Sequence, residues 1–555
     1  MNTIKHLRLS VPCLLFSLLM RHGSGEVIRI GSKEDYENLF SRDPASFSKY
    51  LDATILLESD IVFGSEVYPP LGSDSFPFNG VFDGQGHIMK DLKINTTGKY
   101  VGLIGYSEGA IIRNVIVKND IVIPGSSETQ GDIYAGGLLG YYESVYECKI
   151  ENCINLGAIT HNNGNKNTNL YIGGILGYSS NKSSLSSSIK NCANYGLISF
   201  NDGNIIGAGG IIGYSNPSNA LIANCLNAGE ISASSNIFNQ LYVGGIAGFS
   251  RSGDIKDCVN NGDIPVIPSE KTSIGGVCGY TEYAFLLNCF NKENIQYLIV
   301  GNANNNVDES YNFSESLELE SEITSGNYTG KSLISYLNEK ANSEQDKFYS
   351  HWVSNTNGVE VTFKYHENEY TISSKVILMP EFRDENPKWF NGWYKDMYRT
   401  DPFNSSEITE KTTLYGKTKD GTVNFYARDE FVGSVSGSWM GQITPIENYF
   451  ELKRDDCEFK YWADKDGNVY NKGDLYTILS ENVTLHAVLQ CGKIITADDF
   501  VDFSILCNND GRSNVDVSLE NDIDFDGCDR AFIPIGTNTP FMGSFDGKGY
   551  AIKKS

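Results

Sequence analysis

Positive charge is what this sequence is short of. Its 555 residues hold 44 Lys and Arg against 69 Asp and Glu, a formal net charge of −25, and such a surface repels phosphate backbones and anionic membrane faces. Nucleic acid is therefore excluded as a partner. Two chemical signatures are missing as well. There is no HExxH, so no metalloprotease helix lies in this stretch, and the cysteines form no CxxC pair with histidine nearby, which argues against a zinc site. The one apolar run at the start, Leu9 to Met20, follows Lys5 and Arg8 and precedes Gly23 and Gly25. It is too short for a permanent span and has the three-part layout of a secretory signal peptide over 1–25. Export into an oxidising compartment follows as an expectation. The N-x-Ser/Thr sequons at Asn95, Asn181, Asn312, Asn327, Asn404 and Asn482 agree with it as possible N-glycosylation sites.

What the sequence has in abundance is repetition. VGLIGYS, GGLLGYY, GGILGYS, GGIIGYS, GGIAGFS and GGVCGYT share a glycine at 102, 137, 174, 210, 245 and 276. Each is followed by a second string: IRNVIVKND, IENCINLGAI, IKNCANYGLI, IANCLNAGEI, IKDCVNNGDI and LLNCFNKENI. Both strings are short, rich in β-branched and aromatic residues, and bounded by Gly and Asn, so they read as strands ending in turns. Turns of short strands at a period of thirty-odd residues predict a right-handed parallel β-helix in an all-β chain. Equivalent residues then stack at about 4.8 Å. One column is aromatic: Tyr106, Tyr141, Tyr178, Tyr214, Phe249, Tyr280. A turn column runs Asn119, Gly157, Gly196, Gly229, Gly262, residue types that tolerate positive φ.

A third column holds Cys153, Cys192, Cys225, Cys258 and Cys289, and the first coil fills its place with Val115. Valine neither bridges nor ligates, but it matches cysteine as a small buried hydrophobe, which favours packing over the alternatives of inter-coil disulfides or metal. Asn155, Asn194, Asn227, Asn260 and Asn291 align with Val117 and form an internal amide ladder by the same logic. No cofactor is expected.

The ends and middle differ in texture. Residues 32–40 (SKEDYENLF) read as a capped helix, followed by a strand and FNGVFDGQGH. The same order returns from about 492, where Phe545-Asp546-Gly547-x-Gly549 repeats Phe82-Asp83-Gly84-x-Gly86. Residues 492–555 are thus the truncated start of a second β-helix, and a fragment of a longer protein is expected. KSLISYLNEK (331–340) reads as an amphipathic helix capping the open end of the first solenoid. All five Trp lie between 352 and 462, where two β-rich units of 357–420 and 421–491 align on Trp393 with Trp462 and on Thr413-Leu414 with Thr484-Leu485.

The GG-[ILV]-x-G-[YF] strings with Asn-Cys-x-Asn-x-Gly resemble the GLUG repeats of cell-surface proteins. The two middle units resemble the Listeria/Bacteroides repeat of internalin-type proteins, a small β-grasp-like spacer, through Gly392-Trp393-Tyr394 and Thr413-Leu414-Tyr415; the second departs with Tyr461-Trp462-Ala463. The resemblance implies an exported adhesion or display protein and brings no catalytic residues with it.

Three strings imitate active sites. Gly105-Tyr106-Ser107-Glu108-Gly109 matches a nucleophile elbow, but it sits in a repeat whose other copies read GYYES, GYSSN, GYSNP, GFSRS and GYTEY, and no strand-to-helix turn follows. Asp522, Asp524 and Asp526 begin like a calcium loop, yet the twelfth position is Ile533, so an alternating strand with Ile523 and Phe525 inward reads better. Glu230 and Asp263 in adjacent coils resemble a glycosidase acid pair with no Arg, Lys or His in their column. The reading is therefore a secreted or cell-surface adhesion scaffold without catalytic residues. Its loops 161–170, 201–207, 233–240 and 265–273 meet an extracellular protein or glycan ligand. Membrane attachment could come only from an anchor beyond residue 555. The alternative is a polysaccharide-degrading β-helix enzyme or the non-catalytic part of one.

Overall fold

The computed structural model describes residues 27–40, 51–313, 332–382 and 390–553. Short stretches inside these lie outside the description: 97, 125–130, 144, 163–166, 181–186, 218, 234–237, 293–298, 304–306, 309–310, 344–349, 366–367, 419, 428–429, 439–441, 447–456, 472–473, 479–481, 510–515, 527, 529, 531 and 538–539. The leader assigned to 1–25 falls outside as well. The chain forms two compact units, one made of residues up to 383 with 392–417, the other of 384–391 with 418–555.

The first unit is built on a parallel β-helix. Four successive coils contribute five strands each, as in Ile111–Arg113, Ile116–Lys118, Ile121–Pro124, Ile133–Gly136 and Leu139–Glu143, before Cys148–Glu151 begins the next; the coil that starts with Asp254–Lys256 lacks the third of them. Every strand pairs in parallel with its equivalent one coil on, Ile112 with Ile150 and Ile150 with Ile189 for example. The resulting sheets hold ten, nine, four, six and seven strands. Parallel strands buried on their inner face favour uninterrupted Ile, Val and Leu, and the inward columns carry them: Ile112, Ile150, Ile189, Ile222, Ile255 and Leu286 are all buried.

The corner between the first two strands of each coil is made by the residue before the cysteine column. Asn114, Asn152, Asn191, Asn224, Asp257 and Asn288 all have φ between 51° and 55°. Asn and Asp tolerate this left-handed conformation because their short polar side chains bond locally. The sequence reading placed positive φ at the turn glycines instead, which is a correction. Gly157, Gly196, Gly229 and Gly262 are required for closeness: a Cβ at Gly229 would fall onto the carbonyl oxygen of Gly196 in the coil before.

The helix Leu333–Ser343 does not sit on the open end of the solenoid. Its Leu333, Ile334, Tyr336 and Leu337 form one core with Ala193, Leu226, Val259 and Phe290, four outward residues of successive coils, together with Trp352, Val376 and Leu378. The position between Cys and Asn is apolar in every coil, and an apolar outward column must be covered. This helix and the paired strands Trp352–Ser354 and Val376–Leu378 cover it. The first of the two middle units packs on the solenoid too, since Gly86 lies against Tyr365 and Phe382. It is part of the unit rather than a separate bead.

The two middle units share one topology. In each, the first strand forms an antiparallel hairpin with the second and pairs in parallel with the last: Val361–Tyr365 with Asn368–Ile372 and Thr412–Thr418, then Asp420–Ala427 with Glu430–Ser438 and Asn482–Cys491. The alignment holds at the level of side chains. Phe363 meets Trp393 at 4.8 Å and 72°, Phe425 meets Trp462 at 4.8 Å and 70°, and the two indoles donate to Pro380 O at 2.7 Å and Ile446 O at 2.9 Å. The second has what the sequence reading missed, a disulfide joining Cys457 and Cys491 at paired positions of neighbouring strands.

Beyond it, helix Ala497–Asn509 packs against the strand Asn482–Cys491 through Val501, Ile505 and Leu506, and against the parallel strands Lys493–Ile494 and Val517–Leu519 through Phe500, Phe503 and Cys507. The second module and the second solenoid start therefore share one helix. Arg530, buried, ties it down through Asp498 at 3.0 Å and Asp502 at 2.6 Å.

Candidate interaction surface

Val115 and the five aligned cysteines occupy one inward column and are all fully buried. Each thiol donates to the carbonyl two residues back, Cys153 to Glu151 O at 3.1 Å and Cys192 to Lys190 O at 3.2 Å for example. None of the five is in a disulfide. Burial pushes the Cys192 and Cys258 thiols well above the usual range, which disfavours the thiolate at those two positions.

Next to them the internal amide ladder runs unbroken. Asn155 Nδ2 donates to Asn194 Oδ1 at 2.8 Å, Asn194 to Asn227 at 2.9 Å, Asn227 to Asn260 at 2.8 Å and Asn260 to Asn291 at 2.9 Å. These side chains explain the paired glycines of the other repeat string. A Cβ at Gly210 would collide with the Asn227 side chain, and Gly245 meets Asn260 in the same way.

A second ladder follows the left-handed corner and runs the other way. Asn114 donates to Asp83 at 3.0 Å, Asn152 to Asn114 at 3.4 Å, Asn191 to Asn152 at 3.0 Å, Asn224 to Asn191 at 2.8 Å and Asn288 to Asp257 at 2.9 Å. A third stands at the feet of the inter-coil loops: Asn169 Nδ2 reaches Asp132 at 2.8 Å, Asn204 reaches Asn169 at 2.9 Å and Asn239 reaches Asn204 at 2.7 Å. The sequence reading took these three Asn as loop residues. Their spacing, one per coil just before the strand that precedes the paired glycines, was the signal.

The loops themselves are only partly described, 163–166 and 234–237 lying outside. The first begins later than expected. His161 belongs to the strand Ile159–Asn162 and points inward, where burial pulls it down to about 4 and leaves Nδ1 without a partner.

Beside the loops stands a double row of aromatic rings. Tyr106, Tyr141, Tyr178, Tyr214, Phe249 and Tyr280 stack with centroids 5.2, 5.3, 4.9, 4.3 and 5.0 Å apart. A row that the sequence reading did not single out, Tyr100, Tyr134, Tyr171 and Tyr242, meets them edge-on at 4.7 to 5.1 Å. Tyr106, Tyr134, Tyr171 and Phe249 are buried in these rows, and the other six rings are half-buried.

The imitation active sites do not assemble. Ser107 is buried and its Oγ accepts from Gly109 N at 3.0 Å. Glu230 and Asp263 are both exposed, and Asp263 has a cation that the sequence reading missed, Lys292 Nζ at 3.1 Å. Asp522 Oδ1 accepts from Ala551 N at 2.8 Å, with Ile523 buried and Phe525 packed inward. Among the described residues no three His, Cys, Asp or Glu side chains come together as a metal site would require. Of the sequons, Asn95, Asn404 and Asn482 are exposed, and Asn181 and Asn327 lie outside the described residues. Asn312 falls in backbone register with Asn291, the last member of the buried ladder.

No family model matches the chain, and no curated protein does. A solved structure described as a "putative immunoglobulin A1 protease from Bacteroides ovatus" is similar to it at 21% identity, covering 53% of this chain and 86% of that one with a TM-score of 0.39.

Proposed function

We propose that the chain is an exported, surface-displayed adhesion scaffold of the GLUG type, which meets an extracellular protein or glycan through its inter-coil loops. The observation that carries this reading is the ladder Asp132, Asn169, Asn204, Asn239. It fixes the feet of successive loops at hydrogen-bond distance. Loops on a rigid frame are where recognition residues concentrate, and pre-set loop ends lower the entropy lost on binding. The acid pair that would favour an enzyme, Glu230 with Asp263, is exposed and neutralised on one side by Lys292.

The test is loop replacement in the secreted chain. Residues 163–167, 201–203 and 234–237 are exchanged for short Gly-Ser links while Asn169, Asn204 and Asn239 are kept. Binding to host cells, matrix proteins and a glycan array is expected to fall at least tenfold with the unfolding transition unchanged. Full retention of binding overturns the reading, as does turnover of a polysaccharide by the unmodified chain.

A further inference from the structure

The aromatic rows change character at their first rungs. Tyr100, Tyr106, Tyr134 and Tyr141 form a continuous patch of four rings, with neighbouring centroids 4.7 to 5.7 Å apart. Here each row carries a carboxylate on a phenol hydroxyl. Tyr134 O–H donates to Asp132 Oδ2 at 3.1 Å, and Tyr106 O–H donates to Glu143 Oε2. Asp132 also accepts from the Asn169 amide at 2.8 Å, so its charge is oriented by neutral donors and not cancelled by them. Glu108 stands one coil before Glu143 in the same column. The coil that follows has Asn169 and Ser180 at the places of Asp132 and Glu143, and at the far end of the rows Glu282 is matched by Arg251 at 3.1 Å. Uncompensated negative charge therefore gathers at the first rungs.

A cation already rests on this patch. Lys99 Nζ lies 5.3 Å from the Tyr100 centroid and 5.4 Å from that of Tyr134, within the range over which an ammonium is attracted to an aromatic ring. Tyr100, Tyr141, Asp132 and Glu143 are half-buried and Lys99 is exposed, so rings and carboxylates share one accessible surface. Burial pushes the Tyr100 hydroxyl up to about 12, and Asp74 and Glu143 add to the rise. That phenol stays neutral, and the charge of the patch is that of its carboxylates.

We infer that this patch is a docking surface for a basic polypeptide segment, whose lysine or arginine side chains lie against the tyrosine rings and bond to Asp132 and Glu143. One acceptor on each row favours cations linked on one chain over a single free cation, because the second contact is then made at high effective concentration. The formal net charge of −25 acts in the same direction by drawing cationic segments in.

The test is fluorescence anisotropy of labelled oligolysine and oligoarginine on the full chain, with oligoglutamate as the control. Glu143→Gln is expected to weaken binding about fivefold, the scale of one ion pair at a surface, and Tyr141→Leu about threefold at unchanged charge. Glu410→Gln removes the same charge from an exposed position elsewhere and should stay within about twofold. The loop-replaced chain should bind these peptides as the parent does. Equal losses in E143Q and E410Q would reduce the effect to bulk charge and overturn the inference; so would a loss on loop replacement, or basic peptides that bind no better than oligoglutamate. Should Tyr141→Leu not fold, E143Q against E410Q decides alone.

Discussion

The start of the first solenoid and its copy at 492–555 are nearly the same structure in different company. Both have a Ser or Thr cap whose oxygen accepts from the third residue on, Asp35 N to Ser32 and Asp499 N to Thr496. Tyr36 packs on Phe63 and Tyr68, and Phe500 packs on Phe525 and Phe532 at the aligned positions. Asp60 accepts from Ile88 N as Asp522 does from Ala551 N. The FDG turn closes alike, with Gln85 at φ 53° and Lys548 at φ 44°. Burial is what differs. Phe82 and Met89 are 0% exposed, while Phe545 and Ile552 are 38% and 50% exposed. In the first copy Ile112 and Val117 lie over them in register, and Arg113 Nε meets the buried Asp83 at 2.8 Å. Local sequence thus sets the conformation of a coil, and the next coil sets its energy.

The sharpest way to break that comparison is at the turn glycine. A Cβ at Gly84 would fall onto the carbonyl oxygen of Asn114, whereas Gly547 has nothing within 4 Å. Gly84→Ala is expected to cost at least about 4 kcal/mol or prevent folding of the first unit, and Gly547→Ala to lie within about 0.5 kcal/mol of the parent. Denaturant titration of the two variants decides it, and equal costs would show that stacking is not the source of the constraint. Phe82→Ala against Phe545→Ala comes next, with about 3–5 kcal/mol expected for the first and about 1 kcal/mol for the second, read as the shift in unfolding midpoint.

The third concerns the ion cluster of the second copy, whose aligned first-copy positions are Glu34 and Asn38. Burial pushes the Asp502 carboxyl up to about 6 against the pull of Arg530. Its folded value lies above its unfolded one, so the stability it contributes is complete below about pH 4 and is lost as pH rises through about 6. Relative to Asp502→Asn, the parent should lose up to about 3 kcal/mol between pH 4 and 7. Parallel pH curves for the two proteins refute the assignment. The smallest effect is expected at Asp546, which has its turn bond to Lys548 N but no Arg across from it. Asp546→Asn should change stability by under about 0.5 kcal/mol, while Asp83→Asn, which uncouples a buried pair, should cost several times more by the same titration.

Much of the solenoid was legible in the sequence because stacking forces like onto like. Val115 standing among five cysteines identified a packing column, and Trp393 with Trp462 aligned two modules whose ring geometry proves equivalent. What escaped notice depended on contacts between elements distant in sequence. Asn and Gly both tolerate positive φ, so composition alone did not distinguish the corner at Asn191 from the close approach at Gly196. The apolar residues at Ala193, Leu226, Val259 and Phe290 signalled a covered face, but nothing local said that the helix Leu333–Ser343 and the strand Trp352–Ser354 would cover it. Cys457 and Cys491 lie 34 residues apart and pair only because their strands are neighbours.

The internal amide ladder donates forward along the axis, from Asn155 towards Asn291, and the corner ladder donates backward, from Asn224 towards Asp83. Between Asn152 and Asn227 the side-chain dipoles of these two columns therefore oppose one another in each winding. A winding inserted there by duplication adds one forward and one backward amide to the pair, so the two columns together accumulate no field along the axis.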